Sequence, residues 1–215
     1  MPSFELIIGN KNYSSWSLRP WIAMKTMQVP FNETLVQLDF DSDNIELLKY
    51  SPSQKVPVLK HGELTVWDSL AILEYVAELS PEKAFWPKDP SARAIARAIS
   101  CQMHSGFADL RNECPMNMRR KPQAIELSDG AKRDVAQIED LWRTALNASD
   151  GTFLFGEFSI ADAMFAPVVN RFLIYELSQD ETALSYCKTM TSLPAWQEWA
   201  ASGVNEKWIL DYAER

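Results

Sequence analysis

Hydrophobic and polar positions along the chain follow two rhythms. The first opens with Phe4-Glu5-Leu6-Ile7-Ile8, a short apolar run rich in strand formers that stops at Gly9-Asn10. It predicts a buried strand running into a loop from Gly9 to about Ser17. Pro20 pre-sets a helical φ near the first turn of a helix over Leu18 to Met27, which Val29-Pro30 closes. Thr34, Val36 and Leu38 alternate with Leu35 and Gln37, so a second strand is predicted over Glu33 to Leu38, with Asp43 placed to cap a short helix over Ile45 to Lys49. Val56-Pro57-Val58-Leu59 and Leu64-Thr65-Val66-Trp67 flank His61-Gly62 as a hairpin, and Asp68-Ser69 opens an apolar-periodic helix to about Leu79. The first 80 residues therefore read βαβαββα.

Pro81, Pro87 and Pro90 interrupt the pattern and bias their predecessors to extended backbone, which marks 81–90 as a linker. The second rhythm is helical throughout residues 91–215. Ile95, Ile99, Met103, Phe107, Leu110 and Cys114 recur by threes and fours, as do Val135, Ile138, Leu141, Trp142 and Leu146. Phe158-Ser159-Ile160-Ala161-Asp162 has the form of a capped helix start, and Pro167 falls inside that helix, where a kink is expected. The predicted fold is an α+β domain over 1–80 followed by an all-α helical bundle.

Composition narrows the function. With 47% of its 215 residues hydrophobic and 23% charged, the chain has material for a sizeable core, which excludes disorder. The net charge of −8 is shared evenly by the two sides of residue 80, and Arg119-Arg120-Lys121 is the sole dense basic run, too little for a nucleic-acid footprint. No stretch approaches the ~20 apolar residues of a membrane span, and no basic n-region precedes the first apolar run, so a soluble cytoplasmic protein is expected. Cys101, Cys114 and Cys187 are odd in number and widely spaced, which suggests neither a disulfide framework nor a metal site.

Candidate chemistry begins at Tyr13-Ser14-Ser15-Trp16-Ser17, between the first strand and the first helix. Here the helix N-terminus offers free N–H groups and partial positive charge to an anion. Serines at such a place either cap the helix or face a ligand, and the segment alone leaves both open. Ser14-Ser15-Trp16-Ser17-Leu18-Arg19 is similar to the Ser-Ser-Cys-Ser-x-Arg motif of the zeta class of glutathione transferases, the maleylacetoacetate isomerases, with Trp16 in place of cysteine. Ser51-Pro52-Ser53-Gln54-Lys55-Val56-Pro57-Val58-Leu59 looks like that class's Asn-Pro-x-x-x-Val-Pro-x-Leu, and Asp68-Ser69-Leu70-Ala71-Ile72 like the acidic-Ser-x-x-Ile segment of the superfamily. In their order, and over essentially the whole chain, the elements and motifs resemble the glutathione transferase superfamily, whose N-terminal domain is thioredoxin-like.

The resemblance implies glutathione as cosubstrate. A free thiol of pKa ~8.5 is mostly protonated at neutral pH while the thiolate is the nucleophile, so the site must lower that pKa. A serine hydroxyl is too weak a base to take the proton; Ser14, aligned with the family's catalytic serine, would instead donate a hydrogen bond to the sulfur anion. Ser15 is the reserve, and Ser17 offers the same chemistry. Gln54 and Lys55 would reach the glycine carboxylate, Val56 before a cis Pro57 would pair with the cysteinyl backbone, and Asp68 and Ser69 would take the γ-glutamyl amine and carboxylate. On the helical side Arg97, His104 and Arg111 are spaced by seven; Arg97 reads as part of a solvated stripe, whereas His104, Phe107 and Arg111 are expected to meet a small hydrophobic or anionic electrophile. Arg19 is a candidate for a structural ion pair, and Trp196, Trp199 and Trp208 for core or cleft wall. The implied function is a homodimeric glutathione S-transferase of serine type. A glutathione-dependent cis–trans isomerase and a non-catalytic interaction module are the alternatives; a disulfide reductase needs cysteine, which residues 14–17 lack.

Overall fold

The computed structural model describes residues 3–38, 45–51 and 53–214, apart from the side chains of residues 45 and 46. Strand β1 (Phe4–Ile8) buries Leu6, Ile7 and Ile8 completely. Its continuous apolar run, without alternation, follows from cover on both faces. It pairs parallel with β2 (Phe31–Leu35) and antiparallel with β3 (Val58–His61), which pairs antiparallel with β4 (Leu64–Trp67), giving the order β2-β1-β3-β4.

The second strand lies two residues earlier than its alternation predicts. Phe4 stands opposite Phe31 and Ile8 opposite Leu35. Beyond that, the Val36 N–H still donates to Ile8 O (2.8 Å), but the Leu38 N–H goes to the Asn10 side chain (2.7 Å). The residues 36–38 thus leave the strand ladder, while Val36 and Leu38 still pack with Ile7 of β1 and Val58 of β3. A 3-10 turn covers Ile45–Lys49, while Asp43, the expected cap, lies outside the described residues.

Helix α1 (Ser15–Thr26) starts three residues before the predicted Leu18, so Pro20 occupies its interior instead of its first turn. Lacking an N–H, Pro20 leaves the Trp16 carbonyl without its helical donor. Helix α2 (Ser69–Leu79) begins at its Asp68 cap, whose carboxylate accepts from Leu70 N (2.9 Å) and Ala71 N (3.3 Å). No helix or strand covers residues 80–89.

Then come α3 (Pro90–Ser105), α4 (Ala108–Glu113), α5 (Asp129–Asn147), α6 (Ile160–Ile174), α7 (Glu181–Thr191), α8 (Pro194–Asn205) and a 3-10 turn at Asp211–Ala213. The apolar series from Ile95 to Cys114 spans two helices. Phe107 adopts a left-handed φ of 55° between them, and the exposed Ile95 does not join the core. Periodicity here recorded burial of Ile99, Met103, Phe107, Leu110 and Cys114, not continuity of backbone.

Helix α6 is buried along nearly its whole length and runs unbroken through Pro167. At its start the Asp162 carboxylate accepts from the N–H and hydroxyl of Ser159 (2.9 and 3.0 Å), from Leu154 N (3.0 Å) and from the Tyr186 hydroxyl (3.0 Å). The larger hydrophobic core reaches from Leu6 and Trp21 to Phe165 and Trp199, the two indoles meeting at 5.1 Å, and a smaller cluster of Ile7, Val36, Leu38, Leu47 and Val58 fills the other face of the sheet. Among the described residues no helix is long and apolar enough to cross a membrane.

Candidate active site

The loop after β1 is held in place from both sides. Asn10 O accepts the Tyr13 and Ser14 amides (3.1 and 2.8 Å), and the Glu206 carboxylate accepts the consecutive amides of Lys11 and Asn12, the latter at 3.0 Å. Arg119 donates to the Glu206 and Trp208 carbonyls and to the Tyr13 hydroxyl, which itself donates to Glu214. The segment 206–214 therefore straps the loop down. Burial, with Glu214 adding, raises the Tyr13 pKa, so its phenol stays protonated at neutral pH.

Two cavities of about 460 and 540 Å³ open beside this loop. They share Trp16, Lys55, Val56 and Arg111 and so form two lobes of one cleft, each within the ~300–1,000 Å³ usual for ligand sites. Ser14, Ser15, Gln54, Tyr212 and Arg171 line the first lobe; Pro57, Asp68, Ser69 and His104 line the second. Most residues expected at the site are thus brought together, and the Val56–Pro57 peptide is cis. Phe107 is an exception: it is 4% exposed, caps α4 and packs in the core, outside the lining of either lobe. Helical spacing continued across residues 95–114 predicts Phe107 beside His104 and Arg111; the break at Gly106 turns it inward.

The serines separate by burial. Ser17 is fully buried and outside the cleft, whereas Ser14, 8% exposed, and the half-buried Ser15 face it. Ser69 is also buried, and its hydroxyl has no partner among the described residues although it lines the second lobe. An orphaned buried donor costs ~1–3 kcal/mol, which a ligand would recover. Asp68 shares its carboxylate between the α2 cap and His104 Nε2, at 2.6 Å. His104 therefore ties α3 to α2 and meets the edge of Trp16 at 5.2 Å.

Arginines dominate the helical wall. Arg97 is ion-paired to Glu74 (3.0 Å) and stacks on Trp86. Arg97 stays exposed, as expected of a solvated stripe, with Glu74 as its surface partner. Arg111 lies on α4, a different helix from His104, with its guanidinium 5.7 Å from the Trp16 ring. Arg19 forms no ion pair among the described residues. It is fully buried, stacks on Trp16 at 4.0 Å and donates to Met164 O (3.0 Å), leaving both terminal nitrogens unpartnered. Burial first, then the charges of Arg171 and Arg111, lower its pKa well below the ordinary value.

Arg171 was not among the residues singled out. It is 4% exposed, donates to Cys114 O (2.7 Å) and, among the described residues, leaves Nη1 without a partner while lining the first lobe. Burial holds its pKa down to about 10, still cationic at neutral pH. A lone arginine inside Ala163-Met164-Phe165-Ala166-Pro167-Val168-Val169-Asn170-Arg171-Phe172 was the available signal, because an unpaired charge in an apolar helix is costly unless it serves a ligand. Arg111 and Arg171 line the cleft, and Arg19 stacks on the Trp16 that both lobes share, so this wall is suited to anions.

The family model described as glutathione S-transferase, N-terminal domain, matches residues 13–79. A probable maleylacetoacetate isomerase of Caenorhabditis elegans is 31% identical over 187 residues, covering 85% of this chain and 87% of that protein. Glutathione S-transferase 1 of Dianthus caryophyllus is 30% identical over 160 residues, covering 73% and 72%. A glutathione transferase homologue from Burkholderia, solved with bound glutathione, has the same fold, with a TM-score of 0.71, 23% identity and coverage of 94% and 98%. A thioredoxin-like sheet, a cleft at the entrance to the first helix and this level of sequence identity agree: the chain belongs to the glutathione transferase superfamily.

Proposed function

We propose that this protein is a serine-type glutathione S-transferase. The observation that carries the reading is the single cleft in which Ser14 stands at one lobe and the buried, unpartnered Ser69 hydroxyl at the other. The tripeptide's γ-glutamyl carboxylate fits Ser69 and the N-terminus of α2, its amine the Asp68 carboxylate beside His104, and its glycine carboxylate Lys55 and Gln54. The cysteinyl backbone runs along Val56, which leaves the sulfur at Ser14. Ser14 donates to the thiolate and α1 adds its partial positive charge, so the proton leaves to solvent at lower pH. Ser15 is the alternative donor. Residues 1–80 then hold glutathione, 81–90 link, and 91–215 supply the electrophile wall, in a chain that works as a cytoplasmic homodimer.

In conjugation the sulfur attacks an electrophilic carbon, and either a leaving group departs from that carbon with the bonding pair or, in addition to a double bond, the neighbouring carbon takes a proton from solvent. A second reading, cis–trans isomerisation, shares the attack: sulfur adds to a double bond, the resulting single bond rotates, and sulfur leaves. Arg111 and Arg171 favour it, since they suit an electrophile that carries carboxylate, as does the likeness to proteins named maleylacetoacetate isomerases. Calorimetry with glutathione tests the common ground. Binding is expected in the parent and should weaken about tenfold in Ser69→Ala; a parent that binds no glutathione would contradict this reading and favour the interaction module.

A further inference from the structure

Ser14 stands at the N-cap of α1, yet its hydroxyl caps no helix N–H. It donates instead to Ser17 Oγ, 2.8 Å away, and Ser17 Oγ also accepts the Gly9 N–H at 3.1 Å. A hydroxyl has one proton and two lone pairs. Ser17 Oγ thus receives two donors and keeps its own proton to give. The proton of Ser14, which a thiolate would need, points away from the cleft toward Ser17.

The Gly9 amide occupies one lone pair of Ser17 Oγ in either sense of this chain. β1 ends at Ile8, and the Gly9 amide donates to the serine rather than to a strand. A backbone N–H cannot reverse, so Ser17 is held as an acceptor whatever its own proton does. Packing would tolerate alanine at a fully buried small residue; the hydroxyl there links a backbone donor to the serine that stands at the N-cap position of α1 and lines the cleft.

We propose that Ser17 is a positioning residue that arms Ser14: as the thiolate forms, the bond between the two hydroxyls reverses. Ser17 then donates to Ser14 Oγ and Ser14 donates to sulfur. The completed chain runs Gly9 N–H to Ser17 Oγ–H to Ser14 Oγ–H to sulfur. No covalent bond changes apart from loss of the thiol proton to solvent, and the two hydroxyl protons only rotate. Each donor in such a chain polarises the next, so Ser14 bonded by Ser17 is the stronger donor. The inference rests on the assignment of Ser14 to the sulfur.

The test is a double-mutant cycle of Ser14→Ala and Ser17→Ala. Its readout is the pKa of bound glutathione, followed by ultraviolet thiolate absorbance, with glutathione affinity and thermal stability measured beside it. Ser14→Ala should raise that pKa by about one unit, Ser17→Ala by about half a unit, and the double variant no further than Ser14→Ala alone. Ser17→Cys, which keeps the volume and a weaker donor, should fall between the parent and Ser17→Ala, and it carries the same test if the alanine chain does not fold.

A Ser17 variant that loses thermal stability but leaves the bound thiol's pKa unmoved, beside a shifted Ser14→Ala, overturns the relay and spares the reading of Ser14. Shifts that add in the double variant overturn it as well. If Ser14→Ala itself moves nothing, the assignment of Ser14 and the relay fall together.

Discussion

Which side chains lack partners decides most of the chemistry at the scale of single residues. Among the described residues Ser69, Arg19 and Arg171 are buried donors left incompletely satisfied, and of these Ser69 and Arg171 line the cleft, where a ligand can reach them. Arg171 is the more informative arginine because it reaches the cleft. With a carboxylate-bearing electrophile and its methyl ester as paired substrates, Arg171→Met should raise the KM of the acid roughly tenfold and that of the ester less than about twofold. Equal effects on both would show that Arg171 supports the wall without reading charge. The cysteines behave differently. Burial pushes Cys114 and Cys187 to about 12, whereas Cys101 is exposed. One thiol per chain should therefore react with a disulfide reagent under native conditions and three in denaturant; more than one under native conditions would mean that the helical core opens.

Elements were legible where sequence pattern and packing agree and were misread where burial alone set the period. β1, the hairpin and α2 emerge close to prediction because strand formers, turn residues and a capping Asp68 all act locally. α1 and the α3–α4 break do not, since Pro20 is tolerated inside a helix and Phe107 is fixed in a left-handed turn by the core around it. α6 depends on Asp162, which burial lifts from 3.8 to about 6 against the pull of its four hydrogen bonds. A raised carboxyl favours the folded state when protonated. That contribution is complete below about pH 4 and is lost as pH rises through 6, a change on the order of 3 kcal/mol. The stability difference between the parent and Asp162→Asn, measured by urea unfolding, should therefore decline from pH 4 to pH 7; a flat difference would show that the hydrogen bonds cancel the burial.

The whole molecule brings together what no single segment could reveal. Motifs at Ser14, Val56-Pro57 and Asp68-Ser69 were visible because each is short and local, and they converge on one cleft. The strap was not: Glu206 meets Lys11 and Asn12, and Arg119 meets Trp208, across sequence separations that carry no periodic signal. A chain ending at Asn205 loses the carboxylate that accepts both loop amides and loses Tyr212 from the cleft wall, so its glutathione affinity should fall several-fold by calorimetry. Everything nevertheless converges on one sulfur atom. The most direct measurement is the pKa of the thiol of glutathione bound to the unmodified protein, read from thiolate absorbance against pH. A value well below the ~8.5 of a free thiol, rising by about one unit in Ser14→Ala, is the expected result; a bound thiol that titrates like free glutathione would contradict the account.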